Sequence, residues 1–166
     1  SIATAGTQAN GASDLPQISA DARFIVFQSD ATNLVGGDSN NASDVFLRDR
    51  QSGTTVRVSV NSVGTQANGP SFQPSLADNG LSIVFASDAT NLAGAAEEGF
   101  DNCYVYDRKR KRVELVSRRS KSANGNGANA ECSNPSISAN GRFVEINTMA
   151  TNLGGDATPG TRQIYV

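Results

Sequence analysis

Gly6-Thr7-Gln8-Ala9-Asn10-Gly11 returns 58 residues later as Gly64-Thr65-Gln66-Ala67-Asn68-Gly69. Ser29-Asp30-Ala31-Thr32-Asn33-Leu34 returns at the same offset of 58 as Ser87-Asp88-Ala89-Thr90-Asn91-Leu92, and Ala150-Thr151-Asn152-Leu153 follows a further 61 residues on. Two shorter markers hold the same register. One is Pro16-Gln17-Ile18-Ser19, Pro74-Ser75-Leu76-Ala77 and Pro135-Ser136-Ile137-Ser138; the other is Val45-Phe46-Leu47, Cys103-Tyr104-Val105 and Ile164-Tyr165-Val166. Four markers in agreement define three homologous units, about 6–63, 64–124 and 125–166, in one domain over 1–166.

Each unit reads as four short strands. A first strand follows the proline. A tight turn comes next at Asp21-Ala22, Asn79-Gly80 and Asn140-Gly141. Asn-Gly in a two-residue hairpin loop implies positive φ at both positions, and Ala22 then either strains the first turn or changes its type. The second strands, Phe24 to Gln28, Ser82 to Ala86 and Phe143 to Asn147, are rich in β-branched and aromatic residues. Third strands start at Val45, Cys103 and Ile164. The fourth runs from Thr54 to Val60, where Val56, Val58 and Val60 alternate with Thr55, Arg57 and Ser59, as on an outer strand with one wet face, and recurs around Val113 to Ser117. No segment sustains a helical period. The expectation is an all-β chain: a β-propeller segment of three four-stranded antiparallel blades. A right-handed β-solenoid is the rival, but its rungs are shorter and lack hairpin turns.

Composition narrows the function. The chain has 166 residues, 18% charged, with a net charge of −2, no His and no Trp. Without His there is no Ser-His-Asp or Cys-His system and no His-ligated zinc. The near-neutral charge gives no global attraction to nucleic acid or membrane. No apolar run approaches the roughly 20 residues of a membrane span. Gly-x-Ser-x-Gly is absent. The sequence therefore points to a non-catalytic binding or scaffold module.

Ile18-Ser19-Ala20-Asp21-Ala22-Arg23-Phe24-Ile25-Val26-Phe27-Gln28-Ser29-Asp30 and Ile137-Ser138-Ala139-Asn140-Gly141-Arg142-Phe143 resemble the Ser-x-Asp-Gly-Arg-x-hydrophobic-x-Phe-x-Ser signature of TolB-like, WD-type β-propeller repeats. Asp44-Val45-Phe46-Leu47-Arg48-Asp49 is similar to that family's third strand. The resemblance covers essentially the whole chain and implies a bacterial envelope, periplasmic, cell-surface or secreted propeller with a protein or glycan partner. It also admits an accessory propeller of a hydrolase or peptidase, or a carbohydrate-binding propeller. Asp-Gly is replaced by Asp21-Ala22, and Glu145 stands where the first unit has Val26. Propellers commonly close with about 4–8 blades. Three units imply an incomplete propeller, either part of a longer protein or closed by self-association of two chains into six blades.

Four groups of residues are candidate sites. Asp38, Asn40 and Asp44 have the alternating oxygen donors of a calcium loop, without the bidentate Glu of an EF-hand. Ala96 and Glu98 replace the first two in the second unit, and Asp156 and Gln163 flank the loop in the third. Asp30, Asp88, Asn33, Asn91 and Asn152 either line a channel mouth or shape their loops by bonding to the backbone. Arg108, Lys109, Arg110, Lys111, Arg112, Arg118, Arg119 and Lys121 form a basic patch, open to a polyanion or serving as a solvated edge that deters strand pairing. No aromatic residue is interleaved, so nucleic acid is not expected. Cys103 and Cys132 are a candidate disulfide between neighbouring blades, or two buried thiols.

Overall fold

Each repeat folds as its own antiparallel sheet in the computed structural model, which describes residues 1–94, 99–118, 127–154 and 160–165. The first blade is β1 (Ser13–Ile18), β2 (Phe24–Ser29), β3 (Asp44–Asp49) and β4 (Thr54–Arg57), hydrogen-bonded in chain order. The second is β5 (Ser71–Leu76), β6 (Ser82–Ser87), β7 (Asn102–Asp107) and β8 (Arg112–Leu115), in the same order. The third has three strands among the described residues: β9 (Cys132–Ile137), β10 (Val144–Thr148) and β11 (Gln163–Tyr165). No strand pairs across blades in the named sheets, and no helix occurs among the described residues.

The first strands begin three residues before their prolines, not after them. Pro16 and Pro74 sit where the register slips, between Asp14 and Gln17 and between Phe72 and Ser75. Leu15, Gln73 and Asn134, each just before its proline, adopt φ of 49°, 52° and 46°. A bulge on an edge strand is where proline's missing N–H does least harm to the ladder.

The hairpin turns also differ from the two-residue form. Ala22, Gly80 and Gly141 donate their N–H groups to Ser19, Ala77 and Ser138. Only the second residue of each Asp-Ala or Asn-Gly pair is left-handed, at 57°, 66° and 71°. This is a type I turn closed by a left-handed residue. Asp21, Asn79 and Asn140 brace it by accepting the N–H two residues on.

The outer strand of the first blade is inverted relative to expectation. Val56 is exposed, while Thr55 and Arg57 point inward. The N-terminal segment lies along this strand: the Thr55 hydroxyl donates to the Ile2 carbonyl, and Thr4 bonds both polar groups of the Thr55 backbone. The strand ends at Arg57, so Val58 returns to the core.

Blades stack by burying the outward side of one sheet against the first strands of the next. Phe24, Val26, Val45, Leu47 and Val58 of the first blade meet Leu76, Ile83, Phe85, Tyr104, Tyr106 and Leu115 of the second in one core. A smaller core joins Ala86 and Cys103 to Ala128, Cys132, Ile146 and Leu153. Polar bonds follow the same step. Gln73 N–H donates to the Gln28 side chain, and Asn134 N–H donates to the Gln73 side chain. Ala20 N–H reaches the Asp78 carbonyl, and Asp78 N–H reaches the Ala139 carbonyl.

Candidate functional site

The quoted repeat motifs meet one another in space, three times over. In the first blade Asn10 N–H donates to Asn33 Oδ1, Asn10 Nδ2 to Thr32 Oγ1, Thr32 N–H to Asn10 Oδ1, and Asn33 Nδ2 to the Gln8 carbonyl. Asn68 with Thr90 and Asn91 repeats this set, at 2.9–3.0 Å. Asn129 with Thr151 and Asn152 repeats it again, at 2.9–3.0 Å. Ser29, Ser87 and Thr148 then hold the N–H of Ala31, Ala89 and Ala150. Each latch joins the segment entering a blade to the loop after its second strand. Asn33, Asn91 and Asn152 are thus loop-shaping groups. Asp88 lies beside them, exposed overall, with partial desolvation of its carboxyl pushing it above its usual value. The signal in the sequence was the fixed spacing of Asn-x₂₁-Thr-Asn, legible only once both segments were known to border the same blade.

Asp38, Asn40 and Asp44 also come together, and the cation between the two carboxylates is Arg57. Its Nη2 lies 3.3 Å from Asp38 and its Nε 3.5 Å from Asp44, with the three side chains at most 5% exposed. Arg57 Nη1 also bonds Gln66. Asn40 Nδ2 spans Asp44 and the Ala67 carbonyl, and Ser59 Oγ donates to Asp44 at 2.6 Å. Burial pushes the Asp44 carboxyl up, against the opposing pull of Ser59 and Arg57. In this loop the charge of both carboxylates is met by the Arg57 guanidinium. Arg57 was missed because its strand position reads as a wet one. Ala96, Glu98 and Asp156 lie outside the described residues; Gln163 opens β11.

Among the described residues the candidate basic side chains lie at the two ends of β8. Arg108 to Lys111 make the turn between β7 and β8, and Arg112 opens β8. Arg118 lies beyond the other end of β8, bridged to Gly127. Arg119 and Lys121 lie outside the described residues. Within the hairpin, Arg108 stacks 3.9 Å over the Phe24 ring of the first blade, Arg110 pairs with Asp107, and Arg112 lies 3.4 Å from Glu114. Backbone bonding from Arg110 holds the Asp107 carboxyl below its usual value. Lys109 and Arg110 border an open hollow of about 460 Å³ with Asn79, Leu81 and Asn140.

Cys103 and Cys132 form a disulfide, with Cα atoms 5.7 Å apart, joining the second blade to the third. Both residues are fully buried.

The fold is similar to that of a solved structure at a TM-score above 0.5. The chain is similar to the crystal structure of the tricorn protease, with 11% identity and a TM-score of 0.52 over 86% of this chain and 11% of that one. It is also similar to TolB from Acinetobacter baumannii, at 16% identity and TM-score 0.44 over 93% of this chain and 43% of that one. The putative TolB from Agrobacterium tumefaciens gives 15% identity and TM-score 0.47, covering 89% and 46%. The chain therefore spans less than half the length of these structures. No protein-family model matches it, and no curated protein matches it significantly. The fold is an all-β, propeller-type fold with three blades among the described residues.

Proposed function

We propose that this chain is a non-catalytic binding or scaffold module that presents its blade loops to a protein partner. The supporting observation is the threefold latch. It fixes three equivalent loops at one edge of the blades with the same four hydrogen bonds, while Asn10, Asn68 and Thr90 remain at the surface. A row of pre-ordered polar loops loses little entropy on binding. The disulfide supports an oxidising location such as the bacterial envelope or the exterior, where such bonds persist. A glycan is the less favoured partner, since the chain has no Trp and three Tyr for sugar stacking, and Tyr104 is fully buried.

The test is photo-crosslinking from Thr32 and Thr90 in the bacterial envelope fraction, followed by titration of each captured protein against the purified chain. The expected result is one saturable protein partner that Asn68→Ala weakens by loosening the loop. Saturable binding on a glycan array with no protein crosslink would overturn the protein reading. Turnover of a peptide or ester substrate by the purified chain would overturn the non-catalytic one.

A further inference from the structure

We propose that the edge of the blades opposite the latches is a cationic face that docks on an anionic phospholipid surface. The net charge of −2 hides a separation of charge along the strands. The turns after β1, β5 and β9 and the hairpins after β3 and β7 all lie at that edge. Bonds between the turns hold the three blades level there, Ala20 N–H to the Asp78 carbonyl and Asp78 N–H to the Ala139 carbonyl. These short segments and the strand ends beside them carry more than half of the 14 basic residues, against four acids, Asp21, Asp49, Asp78 and Asp107.

Pairing does not cancel the excess. Arg23 pairs with Asp49 at 2.7 Å, Arg110 with Asp107 at 2.9 Å, and Arg112 turns to Glu114 on β8. Among the described residues no carboxylate pairs with Arg50, Arg108, Lys109, Lys111 or Arg142, so each blade supplies at least one unpaired cation. Arg50 donates to the Ala22 carbonyl, Arg108 stacks on Phe24, and Arg142 lies over Phe143. The latch edge has the opposite sign. Asp30, Asp88, Asp101 and Glu131 have no ion pair among the described residues. Burial, with Glu131 and Asp88 nearby, pushes the Asp101 carboxyl up. Among the described residues the cations at the latch edge are Arg118, Arg162 and the buried Arg57, which Asp38 and Asp44 already meet.

The layout of the face selects a bilayer over other polyanions. Its cations sit at the tips of turns from adjoining sheets, spread across an edge, whereas a nucleic-acid strand is tracked by a basic groove with exposed aromatic rings. Phe24, the ring between Arg23 and Arg108, is buried, so no base can stack on it. Leu81, 38% exposed, borders the same hollow as Lys109 and Arg110 and adds an apolar tip at headgroup depth. The disulfide supports a compartment outside the cytosol, bounded by such surfaces. Each basic side chain held near an anionic leaflet strengthens binding about fivefold. Docking by this edge leaves the latch loops facing away from the bilayer.

The test is cosedimentation of the purified chain with vesicles of phosphatidylglycerol in phosphatidylcholine, beside vesicles of phosphatidylcholine alone. The expected result is binding to the anionic vesicles only, lost as salt rises from about 0.1 M to about 1 M and the screening length falls from about 10 Å to about 3 Å. Lys109→Gln with Lys111→Gln should weaken binding roughly thirtyfold, and Arg118→Gln, at the latch edge, should leave it within about twofold. Both lysines are exposed, and thermal melts check that each variant stays folded. Equal binding to neutral vesicles, no binding at low salt, or a double variant that binds as well as the parent would overturn the proposal. Retention by soluble polyphosphate without vesicle binding would overturn the bilayer as the partner. The crosslinked partner of the latch loops is read in a different assay, so the two readings fail separately.

Discussion

The first two blades have the same strand order and the same register, yet fill equivalent places with different chemistry. The inward positions of the outer strand are Thr55 and Arg57 in one and Val113 and Leu115 in the other. The residue opening the third strand is Asp44 in the first blade and Asn102 in the second, and Ser59 and Ser117 bond them at 2.6 and 3.3 Å. Leu115 packs in the main core, where Arg57 instead holds Asp38 and Asp44. An acid and its arginine have been exchanged for an amide and a leucine as a set. A buried charge is tolerable beside its partner and costly alone, so the members change together.

That contrast can be broken most sharply at Arg57. Arg57→Leu leaves two buried carboxylates with no cation, and should cost about 3–5 kcal/mol of unfolding free energy in denaturant titration. Adding Asp44→Asn and Asp38→Ala, which copies the second unit, should recover most of that loss. If the triple variant is no more stable than Arg57→Leu alone, the exchange is not a set.

The two blade junctions differ in the same manner. At the places of Cys103 and Cys132 the first junction has Val45 and Ser71, and both junctions keep the backbone bond beside them, Ser71 to Ser43 and Cys132 to Asp101. Removing the disulfide, which closes 29 residues, should cost about 3–4 kcal/mol. Cys103→Val with Cys132→Ser should lose less than Cys103→Ala with Cys132→Ala, because it imports the packing of the other junction. Equal melting curves for the two pairs would show that packing at this point is irrelevant.

The smallest expected difference lies in the hairpin turns. Ala22→Gly relieves a left-handed alanine and should stabilise by about 1 kcal/mol. Gly80→Ala should destabilise by about 1–3 kcal/mol, since its Cβ would lie 2.3 Å from the Phe24 ring in addition to the backbone strain. Thermal melts that order the two variants the other way would remove the turn as a difference between the blades.

What was legible in the sequence follows from locality. Turn residues, β-branched runs and the repeat offset act over a few residues, so three units, the strand order and the propeller-type fold could be read directly. The prolines were placed at strand starts because local reading does not show that a bulge would absorb them. Val56 and Arg57 were assigned to the wrong sides for a different reason. Alternation gives a strand two faces but not which is covered, and the N-terminal segment and the paired acids decide that.

The amino-acid order by itself determined how many sheets form and where their hairpins turn, because those depend on backbone preferences repeated at fixed intervals. Only the folded chain decided that Arg57 neutralises Asp38 and Asp44, that Asn68 latches Thr90 and Asn91, and that Cys103 meets Cys132. Each of those contacts depends on the rotation between segments or blades, which packing sets and which no single stretch of sequence encodes.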